Sequence, residues 1–234
     1  MHLNFYLYLQ KLIYYNMITL SEENYLKAIW VISLNTNEKA STNAIADEIS
    51  TSAASVSDML KKLQDKELIK YEKYKGVELS EKGDSFATSI IRKHRLWETF
   101  LVNKLAFGWG EVHDVAEQLE HIKSDELVDR LDSFLGFPKF DPHGEPIPTK
   151  DGKIPTTNTI PLNELQAGTK GKVMGVTLDE KSFLDYLTQL NISIGTKIEL
   201  LEKVSFDQSL SVKIENTNQH ISNDVAKHLL IKTK

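Results

Sequence analysis

Apolar residues recur every three or four positions from residue 21 to residue 136. After residue 162 they give way to short runs broken by turns, so helices are predicted first and strands afterwards. Ser21, with Glu22 and Glu23 behind it, reads as the N-cap of a helix carrying Tyr25, Leu26, Ile29, Trp30 and Leu34 on one stripe. Ser41 or Thr42 caps a short helix through Ala44, Ile45, Ala46 and Ile49. A tight Ser50-Thr51-Ser52 turn leads into a helix from Ala53 to Lys66 with Val56, Leu60 and Leu63 inward. Ile69 to Tyr74 and Val77 to Leu79 read as two short strands around Lys75-Gly76. Ser80 and Glu81 open a long helix with Phe86, Ile90, Ile91, Leu96, Phe100 and Leu101, ending near Gly108. A second helix covers Val112 to His121, and Ser124 caps a third that stops at Gly136. The stripe Leu127, Leu131, Phe134 and Leu135 on that third helix suits either a second subunit or the chain's own core.

The chain divides accordingly. Residues 1–16 are an extension, rich in Leu, Tyr and Ile but broken by Asn4, Gln10 and Lys11; either translation starts at Met17 or the extension is an extra amphipathic helix. That run is too short to span a bilayer and lacks the parts of a signal peptide, so a cytoplasmic protein without membrane association is expected. Residues 17–80 have the helix, short helix, turn, helix and hairpin order of a winged helix-turn-helix. Residues 81–137 are helical, and 138–161 hold all six prolines and read as a linker or extended arm. Residues 162–234, with strand-like runs at 171–176, 197–201 and 211–214 and a short helix at 183–190, read as a small barrel. The expected fold class is mainly α with a small β barrel.

Composition removes several chemistries. The chain has no cysteine, which excludes disulfides, thiolate zinc sites and cysteine nucleophiles. A net charge of −5 argues against a generally polybasic nucleic-acid binder. The positive charge is local: residues 61–75 hold 6 Lys against 3 acids, at the end of the expected reading helix and its wing. Ser52, Ser55, Ser57, Asp58, Lys61 and Lys62 on that helix, with Lys73 and Lys75 on the wing, are the candidates for phosphate and base-edge contacts. A helical hairpin packed for its own sake is the bland alternative.

Two helical stretches carry the candidate metal chemistry. In Arg92-Lys93-His94-Arg95-Leu96-Trp97-Glu98, His94 and Glu98 lie one turn apart. On the next helix His113, Glu117, Glu120 and His121 fall within roughly 100° of one another. Imidazoles and carboxylates converging in this way suit a divalent cation with nitrogen and oxygen ligands, although a solvated polar face has the same spacing. Phe140-Asp141-Pro142-His143-Gly144 places another carboxylate and imidazole on one constrained turn, a pattern that ordinary turn chemistry also produces.

In this order, the pieces resemble the DtxR/MntR family of metal-dependent transcriptional repressors over residues 18 to 234. The resemblance is carried by Glu23-Asn24-Tyr25-Leu26-Lys27-Ala28-Ile29-Trp30, by Arg92 to Glu98, and by Val112-His113 through Glu120-His121-Ile122 with Ser124-Asp125-Glu126. Pro142-His143-Gly144 with Pro146-Ile147-Pro148, and Leu187, Ile192, Gly195 and Thr196 in the tail, add to it. It implies a homodimer on a palindromic double-stranded operator, a helical metal-binding and dimerisation domain, and a C-terminal SH3-like barrel. It implies a primary site from Glu117, Glu120 and His121, with Asn24 reaching across from the DNA-binding domain. An ancillary site would use His94, Glu98 and His113, with His94 bridging into the primary set in some members. Glu180 completes the ancillary site in one branch, and Asp141 with His143 in another.

Three departures bear on the metal. Glu117 stands where the iron-sensing branch has cysteine and the manganese branch glutamate, so Mn2+ is favoured, with Fe2+ next and other divalent metals able to substitute in vitro. Asn24 stands where relatives carry Met or Asp and offers only a neutral carbonyl oxygen. Lys27, at a carboxylate position of the manganese branch, cannot coordinate. The implied mechanism is electrostatic. Glu98, Glu117 and Glu120 repel one another until a cation neutralises them and sets the two recognition helices to the operator spacing at promoters of metal-uptake genes. A winged-helix regulator gated by a small organic ligand is the rival reading. A metalloenzyme acting on a small-molecule substrate is not expected, because neither His-Glu-x-x-His nor Glu-x-x-His occurs.

Overall fold

The structure, a computed structural model, describes residues 18–72 and 75–233. The expected extension, the start at Met17 and the candidate Lys73 lie outside the described residues. The chain forms two compact units that divide between Arg92 and Lys93.

In the first unit, α1 (Leu20–Thr36) starts two residues earlier than Ser21 predicts. Thr19 is the cap: its hydroxyl accepts from the Glu22 N–H at 3.2 Å, and the Glu22 carboxylate accepts from the Thr19 N–H at 2.9 Å. A capping box needs Glu or Gln three residues on; Thr19 has Glu22 there, whereas Ser21 has Asn24. Ser41 caps α2 (Thr42–Glu48) and Ser52 caps α3 (Ala53–Asp65), each accepting from the N–H three residues on. Ile29, Ile45, Val56, Leu60 and Leu63 are fully buried where these helices meet. Strands β1 (Ile69–Glu72) and β2 (Gly76–Leu79) pair antiparallel, and Val77 also bridges to Ala40. Gly76, at φ +89°, starts β2 where a Cβ would stand 2.9 Å from that of Lys39. This is a winged helix-turn-helix.

Helix α4 (Glu81–Leu105) begins in the first unit and ends in the second. In the second unit, α5 spans His113–Leu119 and α6 spans Asp125–Phe134, capped by Ser124. Leu96 of α4, Val128 and Leu131 of α6, and Ile147 make one buried apolar cluster, flanked by Trp97, Phe100 and Leu135. Ile147 comes from the proline-rich segment, whose first half is therefore packed core and not an arm. Pro142, Pro146 and Pro148 bend it, Phe140 bridges to Pro146, and the Asp141 and Ile147 N–H groups bond to the Glu145 and Lys139 carbonyls. Gly144, at φ +86°, lies so close to the Met174 carbonyl and Gly175 that no Cβ fits there.

The C-terminal part is a six-stranded antiparallel SH3-like sheet in the order β3-β8-β4-β5-β6-β7. Its strands are β3 (Ile160–Pro161), β4 (Lys170–Val176), β5 (Lys197–Lys203), β6 (Leu210–Ile214), β7 (Thr217–Ile221) and β8 (Leu229–Thr233). Leu210, Val212 and Ile214 alternate inward along β6, as period-two patterning requires. Helix α7 (Lys181–Gln189) buries Leu184 and Leu187 in the same core, and α8 (Asn223–Ala226) is a single turn. Among the described residues, no helix is long and apolar enough to cross a membrane.

Candidate metal centre

Helix α4 places His94 and Glu98 one turn apart on a buried face, their side chains 7% and 2% exposed. Nε2 of His94 lies 3.0 Å from Glu98, and Nδ1 lies 2.7 Å from Glu120 and 3.7 Å from Glu117. Helix α5 adds His113, with Nδ1 3.7 Å from Glu98 and Nε2 3.5 Å from Glu117. The bend at 141–145 adds His143, with Nδ1 3.7 Å from Glu98. Its Nε2 lies 2.8 Å from the Trp109 carbonyl, and donating there leaves Nδ1 turned toward the carboxylate. Three donor sets result, each with ligand atoms within 4.8 Å of one another: His94, Glu98 and His113; His94, Glu117 and Glu120; Glu98, Asp141 and His143. They are linked in series, because the first shares His94 with the second and Glu98 with the third.

The buried charges explain the proton affinities. Burial works to raise Glu98, yet the imidazoles of His113, His143 and His94 outweigh it and hold this carboxyl well below its usual range. Burial, then the charges of Glu98 and Glu145, push Asp141 up to about 7 against the pull of His143 and Arg95. Burial alone would lower His143; Glu98 first, then Asp141 and the Trp109 carbonyl, overcome it and push the imidazole up to about 9. Asp141 Oδ1 accepts from the His143 and Glu145 N–H groups at 2.8 and 2.9 Å, whereas its buried Oδ2 has no hydrogen-bond partner. The Arg95 guanidinium is 3.7 Å from Oδ2, and it holds Glu145 at 2.8 Å and the Pro146 carbonyl at 2.6 Å.

This donor set fits a divalent cation. It offers only nitrogen and oxygen, crowds Glu98, Glu117, Glu120 and Asp141 around three imidazoles, and leaves the buried Asp141 Oδ2 without a hydrogen bond. A neutral imidazole can donate from only one nitrogen, so His94 between two carboxylates calls for a cation, whether proton or metal.

Three expected ligands belong to none of these sets. Helix α5 ends at Leu119 with Glu120 as its C-cap, so the continuous helical arc assumed for His121 stops short of it. His121 lies beside Glu120, Nε2 to Oε1 at 3.9 Å, and belongs to none of the three sets. Glu180 is exposed at the start of α7 and is also outside them. Asn24 is exposed on α1. Sequence reasoning missed Arg95, Glu145 and the Trp109 carbonyl. Arg95 follows Arg92, Lys93 and His94 in the sequence, so its charge alone did not single it out.

On α3, Ser52, Ser55, Asp58, Lys61 and Lys62 are exposed, Ser52 and Ser55 bond to each other at 2.9 Å, and Lys61 pairs with Asp58 at 3.1 Å. Ser57 departs from expectation: it is half-buried and donates to the Ala53 carbonyl at 2.9 Å, as mid-helix serines do. Lys75 is exposed and pairs with Glu72 at 2.6 Å. Thr51 and Ala54, exposed beside the start of α3, extend the face that the sequence reading identified.

Family models match in chain order: the iron-dependent repressor N-terminal DNA-binding domain over residues 17–77, the iron-dependent repressor metal-binding and dimerisation domain over 80–149, and the FeoA domain over 160–233. A manganese-dependent transcriptional repressor solved in complex with manganese is 35% identical, with a TM-score of 0.80, across 91% of this chain and 99% of that one. The chain belongs to the DtxR/MntR family of metal-dependent transcriptional repressors. Members of this family are regulators, not enzymes. The manganese regulator SloR is similarly related, at 36% identity and a TM-score of 0.69 over 91% of this chain and 98% of that one. The iron-dependent repressor IdeR of Mycobacterium tuberculosis is 33% identical over 62% of this chain and 67% of that protein. A probable metal transport system membrane protein of Chlamydia trachomatis is 44% identical over 75 residues, which are 32% of this chain and 17% of that protein. The family's metal-binding domain model ends at residue 149, just past the packed bend that carries Asp141 and His143.

Proposed function

We propose that this protein is a Mn2+- or Fe2+-responsive repressor that acts in the cytoplasm as a homodimer on a palindromic operator near metal-uptake genes. The single observation that carries the reading is the chain of three interlocked donor sets through His94 and Glu98. Glu117, Glu120 and His94, with His121 alongside and the neutral oxygen of Asn24, form the proposed primary ligand group. Glu98, His113, Asp141 and His143 form the second group. Asp141 and His143 are preferred to Glu180 because the bend puts them against Glu98 and the start of α7 leaves Glu180 exposed. Glu117 in place of a thiolate favours Mn2+ over the softer-ligand alternatives.

A bound divalent cation supplies the positive charge that these carboxylates lack and fixes α4, α5 and the 141–145 bend to one another. Arg95 holds the bend through Glu145 and the Pro146 carbonyl, while Trp109 orients His143. Exposed Phe134 and Leu127 on α6, with Phe137 just beyond, support a second subunit on that face. Ser52, Ser55, Asp58, Lys61 and Lys62 on α3, together with Lys73 and Lys75 of the wing, form the proposed DNA-contacting set.

A chelator-controlled operator titration tests the reading. Mn2+ or Fe2+ is expected to tighten operator binding at least tenfold, with Zn2+ less effective. Equal affinity in excess chelator would remove metal as the effector and favour an organic one.

A further inference from the structure

The SH3-like sheet carries a cationic groove to which no role attaches. Residues 162–234 hold 9 Lys and 9 acidic residues, so this part of the chain has no net charge. Five of those lysines nevertheless line one groove of about 710 Å³ with only two of the acids, Glu199 and Glu215. Both acids are engaged: Glu199 pairs with Lys170 at 3.4 Å, and Glu215 accepts from the Lys197 backbone N–H at 2.9 Å.

The strand register makes the excess sharper. Lys172 on β4 lies directly opposite Lys197 on β5 and, on its other side, opposite Lys232 on β8. All three are exposed, and among the described residues none makes an ion pair. Neighbouring strands are about 4.8 Å apart, so the three lysines are rooted in a row across roughly 10 Å, an arrangement in which like charges oppose folding. Gly171 keeps that row tight, because a Cβ there would collide with the Ile231 side chain and come within 2.7 Å of the Lys232 carbonyl. Met174 and Ile198 contribute apolar surface on which lysine stems can lie with their charges outward.

We propose that this groove binds a linear inorganic phosphate chain along the row Lys232, Lys172 and Lys197. Charge density selects that ligand. An extended acidic peptide presents same-side carboxylates only about every 6.8 Å, two residues of strand rise, and so places about two charges along the row. Linked phosphates share bridging oxygens and place their charges closer than the strand spacing, so all three lysines are met. Among the described residues no aromatic side chain lines the groove to stack a nucleobase, which favours the bare phosphate chain over a nucleotide.

The test is calorimetric titration of the full-length, metal-free chain with tripolyphosphate, since polyphosphates chelate the metals this protein is proposed to sense. Saturable binding with one equivalent per chain is expected, weakened at least tenfold in the triple variant Lys172→Gln, Lys197→Gln, Lys232→Gln. The variant should keep metal-dependent operator binding and melt no lower than the native chain, because the row repels itself. Native and variant binding alike, or no binding, would overturn the proposal. So would a tenfold preference for ATP over tripolyphosphate, displacement by an oligoglutamate peptide at equal charge concentration, a drop in the variant's melting temperature, or loss of its operator affinity. The last result would assign the row to DNA. A native chain that binds tripolyphosphate but not the operator would leave this inference standing and sink the repressor reading instead.

Discussion

The helical and SH3-like parts of the second unit are built on opposite principles. The SH3-like part buries sixteen apolar residues in one cluster, and Thr196 is the only polar residue buried with them among the described residues. The helical part has an apolar cluster of four buried residues, Leu96, Val128, Leu131 and Ile147. Beside it are buried His94, Arg95, Glu98, Glu120, Asp141 and His143. Apolar burial of about 1.5–3 kcal/mol per large side chain holds the first without help. In the second, buried charges cost several kcal/mol each unless they are paired, so its order depends on what neutralises them. The difference makes one part a scaffold and the other a sensor.

The largest expected effect follows directly. Adding Mn2+ should slow hydrogen exchange across α4, α5 and residues 139–147 while leaving β4, β5 and β6 nearly unchanged. At a hundredfold excess over Kd the stabilisation amounts to about 2.7 kcal/mol. Glu98→Ala, which removes the carboxylate common to two donor sets, should abolish that protection and reduce metal-stimulated operator binding at least a hundredfold. Equal protection of the strands would erase the contrast between the two parts.

A smaller effect separates the two candidate completions of the second ligand group. Asp141→Asn with His143→Ala should weaken metal binding roughly tenfold or more, the range for losing a supporting metal contact, whereas Glu180→Ala should leave it unchanged. The same pair sets a pH dependence. Metal displaces protons, so affinity should climb as pH rises toward about 9, where His143 loses its proton. It should fall more steeply below about 7, where Asp141 also holds one, by about tenfold per pH unit for each displaced proton. Calorimetry at pH 6.5 and 8.5 on native and doubly substituted protein checks both; a native slope retained in the variant would refute the assignment.

The smallest effect lies in the first unit. Thr19→Ala should cost about 1 kcal/mol in denaturant unfolding through loss of the capping box, and Ser21→Ala close to nothing. The reverse result would restore Ser21 as the cap.

Much of this molecule could be read along the chain, because local periodicity carries the information. The winged-helix order, the Ser124 cap, Ser41 as one of two candidate caps, the His94/Glu98 and His113/Glu117 pairs and the β tail all follow from spacings of two to four residues. These are distances that a helix or strand sets by itself. Errors arose where an element ended or bent: Ser21 against Thr19 at the start of α1, His121 beyond the end of α5, and Ser57 turned back on its own helix.

What only the tertiary structure decided is which of these groups meet. Proline content predicted a linker or extended arm at 138–161, but Ile147 joins the helical core, and Gly144 lets the bend settle against the Met174 carbonyl. That docking carries Asp141 and His143 to Glu98, more than forty positions away along the chain, and leaves Glu180 exposed. The same holds for Lys172, Lys197 and Lys232, unremarkable in sequence and aligned only by strand register. Ligand types and local spacings are properties of short segments. The convergence of segments is a property of packing, set by shape and burial over the whole unit, and no local pattern encodes it.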